Sequence, residues 1–124
     1  MSKQPLWRSF ALAISALIKI IKTERNIKIQ LLAAFLAVFL GIFFKITRLE
    51  WLIIVLVIFI VLAAETFNSS LEAICNLLNQ KLHLEYQETK FIRDAAAGAV
   101  FLLAVGAFLL ALLIFSSPFL KLFS

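Results

Sequence analysis

Hydrophobic and polar positions along the chain fall into two kinds of pattern. From 6 to 22 the apolar residues Trp7, Phe10, Ala11, Ile14, Leu17, Ile18 and Ile21 recur at helical spacing, with Arg8, Ser15, Lys19 and Lys22 on the other side. This is an amphipathic helix with a basic face, and its aromatic and cationic residues suit a position in the membrane interface. The other pattern is the long apolar run. Residues 29–44 are interrupted by Gln30 alone, residues 51–64 carry no polar group except the Trp51 indole, and residues 95–115 carry no charge. With their flanks these runs reach the roughly 20 residues that span a bilayer. The pattern predicts an all-α integral membrane protein. Three transmembrane helices are expected over 29–46, 49–78 and 93–115, with an N-terminal amphipathic surface helix over 6–22, all in a single membrane-embedded domain of 124 residues.

The second apolar run does not end where it should. It continues into ETFNSSLEAICNLLN at 65–79, where Glu65, Asn68, Glu72, Asn76 and Asn79 step by three and four. Those steps place the five residues in one stripe on a continuing helix. Glu65 and Glu72 then lie roughly 10 Å apart along the axis. Ionisable groups at the edge of a membrane helix are costly, which makes the stripe a candidate functional site.

The connections are short. Residues 23–28, TERNIK, read as a charged turn or helix start, with Thr23 as the cap and Glu24 in the first turn, where the helix dipole favours an acid. Residues 45–50, KITRLE, are followed by Trp51 as an interfacial anchor. Residues 80–90, QKLHLEYQETK, are the one sizeable hydrophilic loop. The small residues AAAGA at 95–99 permit close helix packing in the third span, and Pro118 is expected shortly after that helix. Residues 1–5 are polar and expected to fray.

Composition agrees: the chain is 64% hydrophobic, with a mean hydropathy of +1.06. The net charge of +5 would suggest nucleic acid in a water-soluble chain, but here the basic residues flank apolar runs. They answer to anionic headgroups and topology, and no nucleic-acid partner is expected. Lys19 and Lys22 break the first apolar stretch, which argues against a secretory signal peptide. Cys75 stands alone, so no internal disulfide or cysteine metal cluster forms, and a buried packing role is expected of it. His83 is also alone and reads as a loop residue.

Lysine and arginine set the orientation. Lys3, Arg8, Lys19, Lys22, Arg25 and Lys28 precede the first span, and Lys81, Lys90 and Arg93 follow the second. The opposite side has Lys45, Arg48 and Lys121. The positive-inside rule puts the amino terminus and the polar stripe in the cytoplasm. Glu24, Glu65, Glu72, Arg93 and Asp94 are thereby expected at one membrane face, where ATP and magnesium are available.

Carboxylates are hard oxygen ligands suited to Mg2+, which keeps water and substrate phosphates in its shell. An arginine supplies charge and donors for phosphate oxygens. A carboxylate at the interface is placed to take the proton of a lipid hydroxyl. Phosphoryl transfer asks mainly for positioning and charge neutralisation. The three glycines, Gly41, Gly98 and Gly106, are scattered in spanning segments, so no P-loop is present. The residues alone leave other readings open: helix capping, pairing of the acids with Arg93 or Lys28, or a transport site.

Three blocks carry a resemblance that covers most of the chain. AETFNSSLEAI at 64–74 resembles the signature of the prokaryotic diacylglycerol kinase family on its second spanning helix. IRDAAAGAV at 92–100 is similar to the block that opens its third helix, and ERNIKIQLLAA at 24–34 with RLEW at 48–51 looks like its Gram-positive branch. The resemblance implies a homotrimeric lipid kinase of the bacterial inner membrane, with active sites at protomer interfaces, that uses ATP and Mg2+ to phosphorylate undecaprenol or diacylglycerol. The RLEW and ERN blocks favour the polyprenol. By the same resemblance Glu65 is the catalytic base, Glu24 and Glu72 hold the metal, and Asn68 supports the phosphates. Arg93 and Asp94 match a lysine and an aspartate that contact the nucleotide, and Arg8 is a further contact to nucleotide or headgroup. Arginine at 93 departs from the usual lysine, which alters the donor geometry there.

Two other classes compete. In a small oligomeric transporter or pore, Glu65 would be a coupling carboxylate on a water-filled path. In a non-catalytic membrane scaffold the acids would serve only as caps.

Overall fold

A computed structural model describes residues 4–124, and among them the chain is all helical. Its elements are α1 (Leu6–Thr23), α2 (Arg25–Phe44), α3 (Arg48–Lys81) and α4 (Tyr86–Lys121). Lys3, counted above in the amino-terminal charge, lies outside the described residues, as does most of the segment expected to fray.

α1 is the amphipathic helix. None of its residues is buried, and Trp7, Phe10 and Ile14 are openly exposed. The other three helices are each long and apolar enough to cross a membrane. Their large side chains also point outward: Phe35, Phe59 and Leu113 are all about 70% exposed. Such surfaces are stable only against lipid or another apolar surface. The protein is a multi-pass membrane protein.

The helices differ from the expected spans at their ends. α2 starts at Arg25, four residues before the apolar run. α3 extends to Lys81 and measures roughly 51 Å at 1.5 Å per residue, well beyond the bilayer core. α4 starts at Tyr86, seven residues ahead of the expected 93, so only residues 82–85 remain of the polar loop. α4 also runs through Pro118 to Lys121, where the sequence suggested a stop. A proline removes one backbone donor and crowds the preceding turn, yet membrane helices tolerate it because local adjustments satisfy the freed carbonyl.

The Thr23 cap does not form. Thr23 stays in α1 and donates its hydroxyl to the Lys19 carbonyl at 2.8 Å. Glu24 alone is extended, at φ −96 and ψ 125, and serves both as C-cap of α1 and as N-cap of α2. Its side chain makes no capping hydrogen bond. Helix capping therefore leaves the Glu24 carboxylate free for other work.

At the opposite end α2 turns into α3 through Lys45, which is left-handed at φ 51, with Ile46 N–H bonded to the Gly41 carbonyl. The pattern is a Schellman-type stop. Thr47 then starts α3 in a reciprocal capping box with Glu50. Trp51 lies directly over Gly41, where an added Cβ would come within 2.7 Å of the indole. Next to this turn Ile54, Ile114 and Phe115 form the buried core, with Phe44 packed on it. α3 packs most extensively on α4, less on α2, and α1 touches α2 and α3. The tight turn and the core thus lie at one end, which leaves the polar stripe at the other.

Candidate active site

The stripe on α3 lies where the apolar run meets the α1–α2 junction. Glu65 is 3% exposed and Asn68 is 5% exposed. Two amides, Asn68 on the same helix and Asn26 on α2, are the polar neighbours of the Glu65 carboxyl. Glu72 and Glu24 are the charges that act on it. The structure therefore gathers Glu24, Glu65 and Glu72 into one neighbourhood, as expected. Asn26 was missed as an individual residue, since an uncharged amide beside a charged turn gives no signal of its own.

Local geometry explains the gathering. The break at Glu24 turns the chain from α1 into α2, so that α2's amino end faces α3. Asn68 and Glu72 are four residues apart on one helical face, and the Asn68 amide donates to Glu72 Oε1 at 3.4 Å. The Asn68 Oδ1 atom is buried and has no partner among the described residues. A buried unpaired acceptor costs about 1–3 kcal/mol. Nor do the acids find a cation, since Lys90–Asp94 is the one ion pair among the described residues.

Three carboxylates and an orphaned amide oxygen form an all-oxygen donor set, which fits a hard divalent cation such as Mg2+. Among the described residues no group of three His, Cys, Asp or Glu side chains is close enough to hold an ion alone. A Mg2+ ion there would take one or two of these carboxylates and complete its shell with water and phosphate oxygens.

Arg93 is elsewhere engaged. Its Nη2 donates to Asn76 Oδ1 at 2.9 Å and to Asn79 Oδ1 at 2.7 Å, and its Nε donates to Thr89 Oγ1 at 3.3 Å. The guanidinium also lies over the Tyr86 ring, 5.1 Å from its centroid. Arg93 thus meets amides, a hydroxyl and a ring, and none of the acids it was expected to join. Asp94 is exposed and paired with Lys90 at 2.6 Å. Arg8 sits in the first turn of α1, roughly 24 Å along that helix from Glu24. A single copy of the chain does not bring it to the carboxylates.

Below Glu65, toward the membrane interior, α2, α3 and α4 enclose an open apolar cleft of about 400 Å³. Val61 and Leu62, one turn before Glu65, line it with Ala34, Ala107 and Phe108, and Gln30 is its single polar side chain. Cys75 is buried in packing, as expected. His83 lies in the α3–α4 turn with a left-handed φ of 57.

The model of the prokaryotic diacylglycerol kinase family matches residues 11–115, a stretch that holds every candidate site residue except Arg8. The chain belongs to that family. It is also similar to the undecaprenol kinase of Bacillus subtilis (strain 168), with 33% identity over 109 residues, covering 88% of this chain and 86% of that protein. No solved structure matches the chain. Membership makes the protein a lipid kinase, and the carboxylates around buried Glu65 are accordingly a candidate kinase centre.

Proposed function

We propose that the protein transfers the γ-phosphate of ATP to the hydroxyl of a polyprenol of the undecaprenol type at the cytoplasmic face of the bacterial inner membrane. The observation that carries this reading is the buried Glu65, set between two amides and two further carboxylates at the mouth of an apolar cleft. The acceptor's chain lies in the cleft and its hydroxyl reaches Glu65. Similarity to an undecaprenol kinase supports the polyprenol over diacylglycerol.

Glu65 takes the hydroxyl proton as the lipid oxygen bonds to the γ-phosphorus. The bond from that phosphorus to the β,γ-bridging oxygen breaks, and ADP leaves. Asn68 and Asn26 hold the Glu65 carboxylate in place. Glu24 and Glu72 would hold Mg2+, which neutralises charge on the phosphates. Asp94 is a nucleotide contact. Arg8 is too far from the carboxylates of its own chain to serve them, which supports a homotrimer in which it serves the site of another copy.

The test is transfer from labelled ATP in detergent micelles with magnesium, with undecaprenol and diacylglycerol offered in parallel. Label in the polyprenol is expected, with less in diacylglycerol. Label in neither lipid overturns the reading of this centre, and preference for diacylglycerol overturns the choice of acceptor.

A further inference from the structure

The bonds made by Arg93 give it a role that its position in the sequence does not suggest. Asn79, near the end of α3, uses both ends of its amide. Its Nδ2 donates to the backbone carbonyls of Leu84 and Glu85 at 3.0 and 3.2 Å, which closes the turn. Its Oδ1 accepts from Arg93 and from the hydroxyl of Thr89. Thr89 is 1% exposed and also bonds the Tyr86 carbonyl at 3.2 Å. The bonds of Asn79 to Arg93 and Thr89, and of Asn76 to Arg93, join the last two turns of α3 to the first two turns of α4, and the others brace the turn between them. Asn76, which also holds Arg93, is one turn beyond Glu72.

We propose that Arg93 is a positioning residue: gripped by Asn76, Asn79 and Thr89, its guanidinium clamps the α3–α4 turn and so holds the Glu72 end of α3 in register with α4. A lysine cannot do this, because one ammonium on a flexible stem lacks the planar fork that meets two amides and a hydroxyl together. Arginine at 93, where the family has lysine, is then explained by Asn79 and Thr89. The role concerns the kinase site proposed above, but the clamp is a property of the fold and can be tested without turnover.

The experiment compares Arg93→Lys, Asn79→Leu, Thr89→Val and the Arg93→Lys/Asn79→Leu double variant. Backbone amide exchange over 82–89 is read alongside kcat and the KM for ATP. A clamp predicts faster exchange over 82–89 in every variant, with the turn around Thr47 unchanged. It predicts that kcat falls by on the order of tenfold while the KM for ATP stays within about twofold, because geometry at the carboxylates is lost and nucleotide contact is not. The double variant should be no worse than the poorer single variant, since all act through one network. A nucleotide contact predicts the reverse. Arg93→Lys would then shift chiefly the KM and leave exchange over 82–89 unchanged, Asn79→Leu would loosen only the turn it bonds directly, and the two effects would add in the double variant. That outcome overturns the proposal, as does unchanged exchange over 82–89 in Arg93→Lys. If no acceptor lipid is phosphorylated at all, the proposed function fails, and the exchange measurement still decides the clamp.

Discussion

The two halves of one polar stripe have opposite characters. Asn76 and Asn79, at the outer end of α3, have partners close by: Arg93, Thr89 and the turn carbonyls. Glu65, Asn68 and Glu72 lie one to four turns earlier; the first two are buried and Glu72 half-buried, yet the group is less satisfied. They hold like charges together, with a buried amide oxygen left over. A folding chain gains by closing every buried polar group, and the outer half does so. The inner half leaves charge uncompensated in a place where compensation is most needed. Polar groups left unsatisfied on a rigid support are the mark of a site that is completed by its ligands. In the proposed kinase centre the outer half is the support and the inner half is assigned the chemistry.

The largest effect should come from the inner half. Glu65→Gln keeps the size and burial of the side chain but removes the base. Turnover should fall by about two orders of magnitude or more. ATP binding, measured by equilibrium dialysis with magnesium, should survive. A variant with normal turnover would move the base elsewhere and remove the main reason for separating the halves.

Glu72→Gln and Glu24→Gln should act through the cation. The magnesium concentration for half-maximal activity should rise roughly tenfold, because a carboxylate ligand is exchanged for a neutral amide. An unchanged magnesium curve in both variants would leave the acids without a metal role. Glu24 is the sharper case, since its side chain does no capping that the substitution could disturb.

The contrast itself is tested by one substitution made in each half. Asn68→Leu removes an amide whose oxygen has no partner and whose nitrogen serves Glu72, at a long 3.4 Å, and the Glu65 carboxyl beside it. Thermal unfolding in micelles should move little, or upward, while activity drops. Asn79→Leu removes four bonds at once and should destabilise by about 1–3 kcal/mol. If Asn68→Leu unfolds the protein as readily as Asn79→Leu, both halves are structural and the division is wrong.

Much of this was legible in the residues. Three apolar runs and one amphipathic run fixed the helices, because lipid imposes a pattern that a short chain cannot hide. The step of Glu65, Asn68 and Glu72 was legible too, because helix period alone makes them neighbours. The helix ends were not. Hydropathy reports the membrane, whereas α3 and α4 extend beyond it on the bonds of Asn79 and Thr89, which join residues up to 14 positions apart. The Thr23 cap failed because a threonine near a helix end can also bond back to the preceding turn, and nothing local decides between the two. The stripe looked like one site because period shows which residues share a face, but not what faces them. Arg93 and Asn76 are 17 positions apart, and only the tertiary fold shows that the arginine meets amides in place of acids.

The smallest effect is expected at Lys90. It pairs with Asp94 at 2.6 Å one turn along α4, and both side chains are at least half exposed. Solvent and salt screen such a pair, so Lys90→Gln should leave the unfolding temperature unchanged within error. Its value lies in Asp94, which the pairing holds away from other partners. If Asp94 contacts the nucleotide only after leaving Lys90, the substitution should lower the KM for ATP slightly, by less than about threefold. If the pair instead holds Asp94 in its working position, the KM should rise by a similar factor. A rise would extend the outer network by one more residue and place the boundary between support and chemistry beyond Asp94.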